Sequence, residues 1–351
     1  MNAASELWVF VLSIVVFLTL LFTWAFRVLP QENWQIMACV PRRRDESGTW
    51  VGLNLTWYGF FNASAYVLSV TLLLVMLATV QIPIIASAAT TVVILAICVP
   101  ASRLIAWLVD GKRYNFTIGG ATFIGVIVAP LTINWMPMLV EMPHRPIKTW
   151  LAAIVIAYAF GEGVGRLACV SYGCCYGRAL EDSPTWIRYL FGRRHFRFLG
   201  ETKKASYEGR LMDVPLVPIQ AITCIILSLI GVVGLILFLN GYDAAALVTV
   251  TLSSQLWRFG SEFLRKDHRG PGRVSAYQLM TPISIAILLV IASLPSSTPV
   301  VPRQIGTGLT VLWRPEVILG LQCLWVGIFV FTGRSQVTGS KLALHVHQEH
   351  I

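Results

Sequence analysis

Between Gly161 and Arg178 the chain reads GEGVGRLACVSYGCCYGR, setting one arginine, Arg166, and three thiols, Cys169, Cys174 and Cys175, at the end of an apolar run. A charged side chain near hydrocarbon is costly and marks a functional site by default. A guanidinium fork matches phosphate geometry, so Arg166 is a candidate ligand for a lipid headgroup. Glu162 lies four residues earlier, where a helix lets it pair with Arg166, and a self-neutralised structural pair is the competing reading. A thiolate near Arg166 and Arg178 can act as nucleophile or acyl carrier. Adjacent Cys174 and Cys175 can instead form a disulfide on an oxidising membrane face, or simply pack as small residues. A second cluster, Arg258, Glu262 and Arg265, is spaced four and three, which places all three on one helical face. It reads as a second anion-binding face or as an interfacial salt-bridge ladder.

The elements that must position these groups are membrane helices. The chain has 351 residues, 56% hydrophobic and 13% charged, with a mean hydropathy of +0.70. These values exclude an ordinary soluble domain. Apolar runs predict nine spans, at about 6–27, 56–80, 83–108, 117–138, 149–171, 217–240, 244–260, 276–295 and 313–332. The first is too long for a signal peptide core and has no Lys or Arg before it, so a retained anchor is expected. Trp57 and Tyr58 suit a membrane interface, and Arg103 is placed to snorkel to one. Gly119, Gly120 and Gly125 allow close helix contact or an unwound segment beside a ligand. Asn240-Gly241 predicts a tight turn between the sixth and seventh spans, and Pro215 and Pro218 mark a helix entry.

The net charge of +10 concentrates in the loop from about 172 to 216, which carries Arg178, Arg188, Arg193, Arg194, Arg197, Lys203, Lys204 and Arg210. Such a loop favours anionic phospholipids, with no nucleic-acid partner expected; a solvated loop without a ligand is the alternative. The seven cysteines show no zinc-type CxxC…CxxC spacing, and no metal is expected. Gly161, Gly163 and Gly165 do not fit a dinucleotide fingerprint. The polar stretch 27–50 reads as a connector. The end of the chain, with His345, His347 and His350, reads as a loose tail.

Five blocks, in this order, resemble the bacterial prolipoprotein diacylglyceryl transferase family over roughly residues 52 to 295. Gly165 to Arg178 is similar to the signature G-R-x-G-N-F-x-N-x-E-x-x-G-R without a gap. WYG at Trp57 to Gly59 resembles the first-helix motif. GGATFIG at Gly119 to Gly125 resembles G-G-x-S-F-H-G, VPLVPIQ resembles P-x-H-P-x-Q, and RFGSEFLR at Arg258 to Arg265 resembles R-F-x-x-E-F-x-R. The departures are equally specific. Ile124 stands at the family's histidine, Cys169 and Tyr172 at its asparagines, Cys174 at its glutamate, and Ser254 at its tyrosine. Isoleucine cannot take a proton, which excludes general-base chemistry there; His268 is a candidate substitute.

The resemblance implies an all-α polytopic membrane protein. Its seven-helix transferase-like bundle would span 52–296, with a basic head at 179–216. An N-terminal anchor and connector (1–51) and an extra helix with a polar tail (297–351) would flank it. It implies transfer of the diacylglyceryl group of phosphatidylglycerol to the lipobox cysteine thiol of a prolipoprotein in the bacterial cytoplasmic membrane, with no cofactor and with the head outside. A thioether forms and glycerol-1-phosphate leaves. Arg166, Arg258 and Tyr58 are then the catalytic candidates. Gly119, Gly120, Gly177, Arg178, Glu262 and Arg265 are candidates for binding lipid or supporting the site, and Cys169, Cys174 and Cys175 for a thiol role. The alternatives are a diverged phospholipid-dependent transferase with another acceptor, and a non-catalytic lipid-binding membrane protein.

Overall fold

The computed structural model describes residues 3–31, 35–111, 117–136, 146–266, 275–295 and 303–351; His268 lies outside them. Long helices dominate: α1 (Ala3–Val28), α2 (Trp57–Thr79), α3 (Ile84–Asp110), α4 (Ile118–Trp135) and α5 (Ile147–Tyr172). Two short helices follow in the basic loop, α6 (Thr185–Phe191) and α7 (Lys204–Tyr207). Then come α8 (Ile219–Leu239), α9 (Asp243–Ser261), α10 (Ala276–Ser293), α11 (Ile305–Leu309) and α12 (Pro315–Gly333). Among the described residues eight helices are long and apolar enough to cross a membrane, so the chain is an all-α polytopic membrane protein with little sheet. The expected seventh span is the exception. It folds as α9, but Asp243, Arg258 and a run of Ser and Thr leave it too polar to count with the others.

Helix α5 is the hub. It packs against α2, α8 and α9, and most of its length is buried. Its glycines explain how. A Cβ at Gly161 would lie 2.9 Å from the Ser69 side chain on α2, and one at Gly163 would lie 2.9 Å from Ser228 on α8. The alternation therefore lets two helices approach α5 from different sides, a packing role that small residues fill in membranes. The turn at Asn240-Gly241 forms as expected, with Gly241 at φ +85°.

Both ends of the chain are more ordered than expected. The connector holds an antiparallel pair, β1 (Ile36–Arg44) and β2 (Trp50–Thr56), and the tail contributes β3 (Arg334–Leu342) on the other edge of β2. Alternating burial along β2 pins this register. The loose-tail expectation is therefore corrected through Leu342, because β2 offers β3 a ladder of backbone partners. Helix α12 rides on α2, where the backbones of Gly59 and Gly333 touch so closely that a Cβ on Gly59 would lie 2.2 Å from the Gly333 Cα. Thr56 Oγ1 donates to the Gly333 carbonyl at 2.9 Å, and Trp325 Nε1 to Ser64 Oγ at 3.2 Å.

The basic loop is not uniformly solvated. Arg178, Arg188, Arg193, Arg194, Arg197 and Arg210 are exposed, but Lys203 is fully buried. Its ammonium donates to the carbonyls of Leu29 (3.1 Å) and Ser171 (2.5 Å). A cation is favourable at a helix C-terminus, and here one cation serves the ends of both α1 and α5. Lys203→Met would leave these buried carbonyls without that donor, which costs about 1–3 kcal/mol per group. The expected outcome is a lower melting temperature and faster protease cleavage within 179–216. A second test is Gly59→Leu, which should separate α12 from α2 and bring about a similar loss of thermal stability.

Candidate active site

Helices α2, α3, α4, α5, α9, α10 and α12 enclose a cavity of about 670 Å³. Its central feature is a carboxylate shared by two arginines. Glu162, on α5, receives a hydrogen bond from Arg166 Nη2 one helical turn on. It also receives two from Arg258 Nη1 on α9, at 3.0 and 3.1 Å. The Tyr158 hydroxyl, one turn before Glu162, donates to the same carboxylate and accepts from Arg258 Nη1 at 2.8 Å. Glu162 and Arg166 are both buried. The Glu162–Arg166 pair read from the sequence therefore exists, but it does not neutralise itself, because one carboxylate faces two guanidinium groups. A net positive charge remains. Arg166 Nε is buried and has no hydrogen-bond partner among the described residues.

Arg258 reaches this position because α4 gives way. A Cβ on Gly119 would lie 2.8 Å from Arg258 Nη2, so Gly119 serves the site through space rather than through flexibility. Gly120 does not line the cavity. It packs on Ile105, whose side chain would meet its Cβ at 2.6 Å. Gly177 also faces protein: a Cβ there would strike the Val217 carbonyl at 2.3 Å. Arg178 is exposed, away from the cavity wall. Tyr58 does line the cavity and packs edge-on against Tyr172, with ring centroids 5.7 Å apart.

The Arg258, Glu262 and Arg265 face is modified by the end of α9. The helix stops at Ser261 and tightens into a short 3₁₀ turn at Glu262–Leu264. Arg265 Nη1 lies 3.3 Å from Glu262 Oε1, and both side chains line the cavity. Backbone bonds from Arg178 N to the Leu264 carbonyl and from Lys266 N to the Tyr176 carbonyl, both 3.1 Å, tie this turn to the cysteine loop.

The three thiols meet at the same end. Helix α5 stops at Gly173, which takes φ +68°, and Cys175 adopts φ +54°. The chain doubles back, bringing Cys175 Sγ to 3.8 Å from Cys169 Sγ. All three sulfurs lie within 4.8 Å of one another. All three cysteines line the cavity. Hydrogen bonds from Cys169 and Cys174 hold the Cys175 thiol below its ordinary value, helped by Arg265 and Arg166 and opposed by burial. Hydrogen bonds with Cys169 and Cys175, together with burial, push the Cys174 thiol up.

Several wall residues escape sequence reasoning. Tyr158 continues the Glu162 and Arg166 face by one turn, a spacing that could have signalled it. Lys204 and Tyr207 arrive from α7, and Phe331 and Arg334 from the end of α12 and the start of β3. No local pattern places these four beside α5. Arg103, expected to snorkel, also lines the cavity, with its guanidinium 4.0 Å from the Phe331 ring centroid. Ile124 stays off the wall.

No curated protein matches the chain. The model of the prolipoprotein diacylglyceryl transferase family matches residues 49–294, a stretch that contains β2, helices α2 to α10, the arginine–carboxylate cluster and the thiols. On that match the chain belongs to the prolipoprotein diacylglyceryl transferase family.

Proposed function

We propose that this protein transfers the diacylglyceryl group of phosphatidylglycerol to the lipobox cysteine of a prolipoprotein in the bacterial cytoplasmic membrane. The observation that carries the reading is the pair Arg166 and Arg258, held in a cavity of about 670 Å³ by a single carboxylate. Two guanidinium groups against one carboxylate leave positive charge for a phosphodiester. The buried, unpartnered Nε of Arg166 is a donor that a phosphate oxygen can satisfy.

The reaction follows from that charge. An acceptor thiolate attacks the glycerol carbon bonded to the phosphate oxygen. A carbon–sulfur bond forms, the carbon–oxygen bond breaks, and glycerol-1-phosphate leaves with the electron pair. Arg166 and Arg258 stabilise the charge that builds on this phosphate, in a site where water competes poorly. Tyr58, on the wall, orients the lipid or the incoming thiol. Glu262 holds Arg265, and that pair supports the rim beside the thiols.

One observation favours a second reading, a phospholipid-dependent transferase with a different acceptor: no histidine lines the cavity among the described residues. The test is rescue of a bacterium depleted of its own transferase, with phosphatidylglycerol turnover measured alongside. Rescue by the wild type supports the lipobox acceptor. Failure despite good membrane expression and retained turnover points to another acceptor, and absence of both overturns an enzymatic role.

Arg166→Lys should lower kcat/KM by at least about 100-fold, because an ammonium cannot reproduce the fork. Arg178→Ala should stay within about twofold of wild type, as expected for an exposed position away from the cavity. Glu162→Gln should destabilise the protein by about 3–5 kcal/mol, since the buried guanidinium of Arg166 and the partly buried one of Arg258 would lose their shared anion. Turnover assays on membranes and melting curves in detergent read these outcomes.

A further inference from the structure

Among the described residues, the cavity wall offers no evident base for the thiol of the proposed reaction. An acceptor thiol must lose its proton before it attacks carbon. Every carboxylate on the described cavity wall faces a cation: Glu162 faces Arg166 and Arg258, Glu262 faces Arg265, and Glu208 lies 3.4 Å from Lys204. No histidine lines the wall among the described residues, and tyrosine phenols ordinarily ionise only near pH ~10. What the wall does offer is three sulfurs.

We propose that Cys169, Cys174 and Cys175 bind a thiophilic divalent cation of the zinc type, whose remaining position takes the acceptor thiol. The geometry supports this. Zinc–thiolate bonds of about 2.3 Å in a tetrahedron put neighbouring sulfurs about 3.8 Å apart. Cys169 and Cys175 stand at 3.8 Å, and Cys174 lies within 4.8 Å of both. The backbone holds this arrangement. Cys174 N donates to the Cys169 carbonyl at 3.1 Å, Gln220 Nε2 donates to the Cys174 carbonyl at 2.9 Å, and the left-handed φ of Cys175 turns the chain back towards α5.

A divalent ion with three thiolates carries one net negative charge, and Arg166 and Arg265 line the same cavity as the three sulfurs. Closed structural zinc sites use four protein ligands, whereas three leave a position for a reactant. Here that position is in the cavity that holds the arginine pair. A thiol bound there ionises, releasing its proton to water. Its sulfur then forms the carbon–sulfur bond as the phosphate departs, and the phosphate monoester takes up a proton according to the pH.

The metal site stands on its own geometry, while its role as thiol activator rests on the transferase reading. The test uses full-length protein purified in detergent without a histidine tag or chelator. Metal analysis should find one zinc per chain, and cobalt substitution should give thiolate-to-cobalt charge-transfer absorption. Cys169→Ser, Cys174→Ser and Cys175→Ser should each weaken binding by more than the ~10–100-fold typical of outer-shell changes. Cys323→Ser, exposed on α12, should bind as wild type. A synthetic lipobox peptide with a free cysteine should shift the cobalt spectrum, and its serine analogue should not.

Three free thiols with no stoichiometric metal overturn the proposal, as does a disulfide within the cluster in protein isolated without reductant. A cobalt spectrum indifferent to the peptide thiol overturns it as well. If the peptide shifts the spectrum but no diacylglyceryl transfer occurs, the metal site stands and the transferase reading falls.

Discussion

Two arginines cannot sit side by side in an apolar bundle without an anion between them, and Glu162 is that anion. In low dielectric the repulsion of two guanidinium groups and the cost of desolvating them are both large. A carboxylate that accepts from Arg166 on its own helix and from Arg258 on α9 removes most of that cost. It cannot remove all of it, because one negative charge faces two positive ones. The remainder leaves positive charge on the cavity wall. Tyr158 supplies a further donor, so the carboxylate is held from several directions and the arginines are preorganised.

The rest of the fold can be read as what brings these groups within reach. Gly161 and Gly163 draw α2 and α8 against α5, and Gly119 clears the path for the Arg258 side chain. Lys203 fastens the head to the ends of α1 and α5, which places α7 over the thiol end of the cavity. The parts outside the family-matched residues also take part. Helix α12 and the start of β3 contribute Ile328, Phe331, Thr332 and Arg334 to the wall. The C-terminal addition is thus part of the enclosure and not only an anchor, because the Gly59–Gly333 contact lets it lie directly on α2.

Much of this was legible in advance. The spans follow from hydropathy, since an apolar run of about 20 residues has few other uses. Arg166 and Glu162 followed from their cost and their helical spacing. Arg258 followed from its block, but its partner did not: sequence spacing joins Arg258 to Glu262, while the structure gives it Glu162, almost one hundred residues away. The glycines divide in the same way. Gly119 is at the site, whereas Gly120 and Gly177 are consumed by packing against protein. Arg178, inside the signature motif, ends up exposed. A motif records that residues travel together in sequence, not that each of them touches one ligand.

By itself the sequence determined the class of the protein, the positions of its helices and the presence of expensive charge in an apolar setting. These depend on local composition and on the period of a helix, which every stretch of chain carries within itself. The tertiary structure decided how the charges pair, which glycines are spent on helix contact, and that the tail returns to pair with β2. It also decided that three cysteines, spaced five and one apart, share one point in space. That last arrangement lies on no single helical face. It exists because α5 ends at Gly173 and the backbone turns back through Cys175, while Gln220 and the Cys169 carbonyl hold the loop from either side. Contacts of this kind arise between distant segments, and only the packed bundle fixes them.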